Sequence, residues 1–200
     1  MPEEAYRSRI GSALANRDYA ELESAWREFA GLHTEEHEYL LSIAEQLARL
    51  DKGALASELC VQFAQTLQDK GEGEAALAAA RVALRANQRT DGLREVLVLS
   101  FQAQYGDNEH LEEFIQKSQL LDGTGSIRQQ VDALDRYLTF EEGAHVYHAG
   151  GWGYGEVVEF DSAEEVMVVD FQRKRGHRMN LLSATKILKR LPPDHFGSAG

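Results

Sequence analysis

The sequence predicts a mainly α protein followed by a small all-β module. Three observations carry this. Apolar residues recur every three or four positions through residues 1–140, the period of helices with one buried face. After residue 140 the period changes to two, with β-branched residues in short runs. Between the two patterns the chain becomes glycine-rich, holding four glycines in the six positions 150–155.

The helical part reads as about eight segments. Ala, Leu, Glu, Gln and Arg dominate it, and all are good helix formers. Leu40, Ile43, Ala44, Leu47 and Leu50 form one stripe, and Leu77, Ala80 and Leu84 another. Polar and glycine breaks fall near Arg17, at 31–34, at Lys52 and Gly53, at 71–73, at 87–91, at 106–108 and at 122–126. Thr34, ahead of Glu35 and Glu36, has the pattern of an N-cap with an acidic first turn. Ser126 and the pair Asp107 and Asn108 are further cap candidates. Short connections predict hairpins of neighbouring helices. Residues 59–88 (LCVQFAQTLQDKGEGEAALAAARVALRANQ) place long apolar side chains on one helix, glycines in the turn and alanines on the next. That stretch resembles a tetratricopeptide repeat, without its proline and without a second clear copy. The expectation is stacked helical hairpins, a TPR-like α-solenoid, over a closed bundle.

The β part is expected to hold strands at 144–148, 156–160, 166–171 and 178–182, with turns at 161–165 and 173–176. Residues 184–191 follow as a helical turn or a last strand, and Pro192 and Pro193 stop regular structure. Short strands with tight turns predict a small antiparallel barrel. The expected domains are therefore 1–140 (helical repeat), 141–196 (barrel) and 197–200 (flexible tail or linker).

The chain has 33 acidic and 21 basic residues, a net charge of −12, which opposes generic nucleic-acid binding. Residues 1–140 hold 24 acidic and 14 basic residues, and residues 141–200 hold 9 and 7. The excess therefore lies in the helical part. Basic residues bunch at Arg173, Lys174, Arg175 and Arg178, and again at Lys186, Lys189 and Arg190. No apolar run approaches the roughly 20 residues of a membrane span, and the N-terminus lacks the apolar core of a signal peptide. Cys60 is the only cysteine, so no intrachain disulfide forms. A cytoplasmic protein is expected.

No catalytic constellation emerges, and an enzyme is not expected. The glycine run lacks the Lys-Ser or Lys-Thr of a phosphate loop. His145 and His148 would face opposite sides of a strand, which opposes a shared metal. His33 and His37 lack the Glu position of an HExxH motif. Cys60 sits on an apolar stripe with Phe63, Ala64 and Leu67, the setting of an inert buried thiol. No cofactor, metal or small-molecule substrate is expected. Tyr147, His148, Trp152 and Tyr154 are candidate partner-facing residues, since aromatics dominate interface hot spots. The competing reading has Trp152 and Tyr154 filling the module's own core. Arg173, Lys174, Arg175, His177 and Arg178, around an expected turn, would meet an acidic or phosphate-bearing partner, at roughly 1 kcal/mol or less per exposed contact, and the competing reading is a solvated hairpin tip. Gly150, Gly151, Gly153 and Gly155 are assigned to the backbone geometry of the turn.

The segment VYHAGGWGYGEV (146–157), together with LPPDHF (191–196), resembles the SH3-like or Tudor-like module ahead of the catalytic part of long Gre-type bacterial transcription elongation factors. The likeness is specific over 143–196 and architectural over 1–140. A weaker likeness extends to the polymerase-interacting modules of CarD-like regulators and transcription-repair coupling factors. The resemblance implies a non-catalytic accessory region that binds RNA polymerase and protein partners, with DNA or RNA as a further partner of the barrel. Gre-type factors stimulate transcript cleavage through a coiled coil with an acidic tip. No such hairpin lies within these 200 residues, so the cleavage role is not carried over, and the chain is expected to be either an N-terminal piece of a longer factor or a stand-alone protein with only the accessory parts. An alternative expectation is a helical-repeat scaffold whose barrel binds a peptide or nucleic acid, unrelated to transcription.

Overall fold

The computed structural model describes residues 3–192. The chain divides into two compact units, Met1–Glu109 and His110–Gly200.

The first unit is helical. It comprises α1 (Glu3–Ala15), α2 (Tyr19–Leu32), α3 (His37–Arg49), α4 (Gly53–Asp69), α5 (Gly73–Ala86) and α6 (Leu93–Tyr105). Helix α5 packs between α4 and α6, and α4 packs on α3. Small residues make this possible. Ala75, Ala76, Ala79, Ala80 and Ala83 are all buried on α5. Two glycines start helices where another backbone touches them. A Cβ on Gly53 would stand 2.5 Å from the Ala86 carbonyl oxygen, and one on Gly73 would stand 2.7 Å from that of Ala103. The buried Ser57 hydroxyl donates to the Ala83 carbonyl at 3.0 Å, tying α4 to the end of α5. Bulkier residues fill the other side. Trp26 lies edge-on to Phe63 at 5.3 Å between centroids, and its Nε1–H donates to the Leu40 carbonyl at 3.3 Å.

Sequence breaks match helix ends, but not always by the expected device. The Asp18 carboxylate caps α2 by accepting from the Glu21 N–H at 3.1 Å. Thr34 is no side-chain cap. It opens a short 3₁₀ turn, Thr34–Glu36, and its hydroxyl donates to Glu72 at 2.8 Å. Its oxygen accepts from the Lys70 ammonium at 3.1 Å, a tertiary donor in place of the local backbone N–H.

The second unit contains α7 (Leu111–Lys117), α8 (Ile127–Thr139), β1 (His145–His148), β2 (Gly153–Asp161), β3 (Val166–Phe171), β4 (Lys174–Asn180), α9 (Leu181–Ile187) and β5 (Leu188–Arg190). Ser126 caps α8 as expected, accepting from Gln129 N–H. Helix α7 has no side-chain cap; His110, not Asp107 or Asn108, precedes it. The five strands form one antiparallel sheet in the order β4-β3-β2-β1-β5. Its buried row is Val146, Val157, Met167, Val169, Phe171, Met179 and Leu188.

Three local readings change. Strand β2 begins at Gly153, because its glycines pair across to β1 and are part of the ladder. Strand β4 begins at Lys174, within the expected turn, and ends before Leu181. Residues 181–187 are helical because the Asn180 side chain caps them, accepting from Leu182 N–H at 2.8 Å. Residues 188–190 then pair with β1, so the 184–191 segment supplies both a helical turn and the last strand.

The composition changes at residue 140, whereas the compact unit holding the sheet starts at His110. The reason is aromatic packing. Phe114 on α7 meets Phe160 on β2 at 5.5 Å and Tyr137 on α8 at 5.7 Å. The Tyr137 hydroxyl donates to Glu165 at 3.1 Å, and the buried Ser162 hydroxyl donates to Glu113 at 3.0 Å. Lys117 bonds both Ser162 and Glu113, and it holds the Glu113 carboxyl below the usual range.

Candidate partner-binding surface

The glycine-rich turn joins β1 to β2 and carries Trp152. Gly151 and Gly153 have φ of +103° and +79°, which glycine adopts without cost. The turn folds back over β1. The Gly150 N–H donates to the ring Nδ1 of His148 at 2.9 Å. A Cβ on Gly150 would lie 2.5 Å from the His148 Cε1, so only glycine approaches so closely.

Trp152 closes a stack on the buried face of the sheet. Its ring lies on His148 at 4.3 Å and 21°, and it meets His177 at 4.4 Å and Phe171 at 5.5 Å. The Lys174 ammonium sits 4.5 Å from its centroid, within cation–π range. Arg173 donates to the Gly151 carbonyl at 3.2 Å, bracing the turn from the β3–β4 hairpin. His148 is buried, while Trp152 and His177 are half-buried. Burial pushes the His177 pKa down, and Lys174 and His148 push it further.

Tyr147 and Tyr154 belong to the opposite face. They are direct cross-strand partners, with rings 5.1 Å apart. Tyr147 is 36% exposed. Lys189 on β5 pairs with Tyr147 on its other side, so a basic residue flanks the aromatic pair. Beside it runs a groove of about 420 Å³, lined by His145, Tyr154, Glu156, Asp170, Gln172 and Arg175 among others. Arg178 is spent on an exposed ion pair with Glu164.

The structure therefore separates the candidate residues into two sets. Trp152, His148, Lys174 and Arg173 converge at one end of the buried face. Tyr147 and Tyr154 share the outer face with Arg175. Sequence reading grouped His177 with the basic residues of the 173–178 turn and Lys189 with a second basic cluster, and it read Phe171 only as a strand end; their meeting with Trp152 and Tyr147 depends on strand pairing. Lys189 needed the β1–β5 register, and no local signal provides it. His145 and His148, three apart on β1, fall on opposite faces, half-buried and buried, as strand periodicity requires.

Among the described residues no group of three His, Cys, Asp or Glu side chains is arranged to hold a metal ion. No helix among them is long and apolar enough to cross a membrane. Cys60 is buried, and burial pushes its thiol up to about 12. Of LPPDHF, Leu191 and Pro192 are described, and the Leu191 N–H donates to the His145 carbonyl at 2.8 Å. Pro193, Asp194, His195, Phe196 and the 197–200 tail lie outside the described residues.

The chain is similar to a protein of Treponema pallidum (strain Nichols) provisionally named as a GreA-associated domains protein. The two are 20% identical over 197 residues, which covers 96% of this chain and 29% of the relative. The chain thus spans less than a third of that protein's length. No family model matches the chain, and no solved structure matches it.

Proposed function

We infer that this chain is a non-catalytic interaction region of a Gre-type transcription elongation factor. In this reading the sheet module is an SH3/Tudor-like barrel that docks on RNA polymerase. The helices act as a TPR-like stack of hairpins that receives a protein partner. The observation that carries the reading is the extent of the likeness to the GreA-associated domains protein, which runs through both units. The strongest docking surface is the outer face of the sheet around Tyr147, Tyr154 and Lys189. It combines exposed aromatic area with a flanking positive charge, and both are favoured at interfaces. The half-covered Trp152 shapes the adjoining turn from behind. In this reading the protein works in the cytoplasm, where the polymerase is, and carries no catalysis of its own.

The test is retention of the intact chain by immobilised RNA polymerase. Tyr147→Ala and Lys189→Glu together should weaken retention by roughly tenfold or more, as for a hot-spot residue. Absence of retention by the unaltered chain would overturn the reading. Retention on DNA or RNA alone, falling steeply with salt, would instead favour the scaffold whose barrel binds nucleic acid.

A further inference from the structure

We propose that the glycine turn carrying Trp152 is a proton-sensitive latch, closed by a neutral His148 and opened when that imidazole is protonated.

The geometry defines the closed state. His148 Nδ1 accepts the Gly150 N–H at 2.9 Å, so this nitrogen carries no proton and the ring's own N–H is at Nε2. The imidazolium has no acceptor nitrogen. A proton on Nδ1 therefore does more than add charge: it removes the acceptor and sets two N–H groups against each other. The turn has no room to rotate the conflict away, since the His148 ring already fills the space beside Gly150.

The surroundings sharpen the effect. From β4, Lys174 lies over Trp152 and His177 meets its edge. From the β3–β4 turn, Arg173 donates to the Gly151 carbonyl. From β3, the neutral Phe171 meets the His148 ring edge-on at 5.6 Å. From β5, Leu188 pairs with His148, and its neighbour Lys189 lies on the other face beside Tyr147. Asp170 on β3 accepts the Gly176 N–H and pairs across to Glu156, one position out of step with Phe171. Every ionisable group named on the His148 side is basic. Among these described residues a charge on His148 faces Lys174 and Arg173, and the protonation of His177 would add to the repulsion. Burial first, and then Lys174 and His148, hold the His177 pKa down. Opening frees Trp152 and the Gly150–Gly151 backbone for a partner, while the β2–β3–β4 ladder stays in place.

The experiment uses the full chain labelled with ¹⁵N-glycine. The Gly150 amide is followed from about pH 8 to about pH 5, the range in which histidine titrates. Its exchange, corrected for intrinsic chemistry, should accelerate by about tenfold as the latch opens, while Gly155 within the ladder stays protected. In His148→Gln the acid-induced change should vanish. Two results would overturn the proposal. One is a Gly150 amide in the unaltered chain whose corrected exchange is independent of pH. The other is a folded His148→Gln chain that shows the same acid response. If that variant fails to fold, the unaltered chain decides alone, with the His148 ring nitrogen shifts of a second, ¹⁵N-histidine-labelled sample reporting whether Nδ1 gains a proton as Gly150 loses protection.

Discussion

Gly155→Ala measures how closely the strands of the sheet module approach. Gly155 has no positive φ, so alanine suffers no backbone strain there, and only space opposes it. The added Cβ would stand 2.7 Å from Phe171 Cδ1, 2.9 Å from the Asp170 carbonyl oxygen and 3.0 Å from Val169 Cγ1. Phe171 and Val169 are buried, and the Asp170 oxygen is backbone within a paired strand. None of the three moves cheaply, which puts the cost toward the upper end of the about 1–3 kcal/mol typical of overpacking. For a unit of this size each 1 kcal/mol lowers Tm by about 4–8 °C. Thermal unfolding should therefore show a fall of roughly 10 °C or more for the transition that involves Trp152. Gly11→Ala is the matched control. Gly11 lies within α1 with nothing within 4 Å of its added Cβ. That substitution should stabilise the chain by about 0.5–1 kcal/mol through helix propensity. Equal, small effects of both substitutions would refute the close approach of β2 to Phe171.

Further expectations concern single groups. Cys60 should resist a thiol reagent at neutral pH until the helical unit unfolds, because burial holds the thiol near 12; fast labelling of the native chain would contradict this. Ser57→Ala should cost about 1 kcal/mol in denaturant unfolding, since the Ala83 carbonyl loses a buried donor. His177 has its folded pKa below the ordinary 6.5, so the fold favours its neutral form. Its contribution is complete above about pH 6.5 and is lost as pH falls through the folded value. His177→Gln should thus flatten the acid-side decline in stability, and an unchanged decline would remove His177 as a cause.

Much of the architecture was legible before any coordinates. Most α1–α8 boundaries coincide with polar and glycine breaks because capping and helix propensity act over a few residues, although α7 ends at Lys117, before the expected break at 122–126. Ser126 is one example, bonding only three residues ahead. The turn to strand after residue 140 is equally local, written in period-two alternation and glycines. Thr34 shows the limit of such reading. Its N-cap signature is sound, yet the Lys70 ammonium, 36 residues away, donates to its oxygen and Glu72 accepts its proton.

The sequence by itself determined helices followed by a small sheet, an inert buried cysteine, and a glycine turn that must pass close to something. The tertiary structure decided what that something is. It stacked Trp152 on His148 and against the edge of His177, set Lys189 beside Tyr147, and drew α7 and α8 onto the sheet through Phe114 and Tyr137. The division has one physical cause. Helix periodicity, caps and turns are governed by neighbours along the chain, whereas strand register and aromatic packing join residues dozens of positions apart, and a register shift of one residue would send every side chain to the other face.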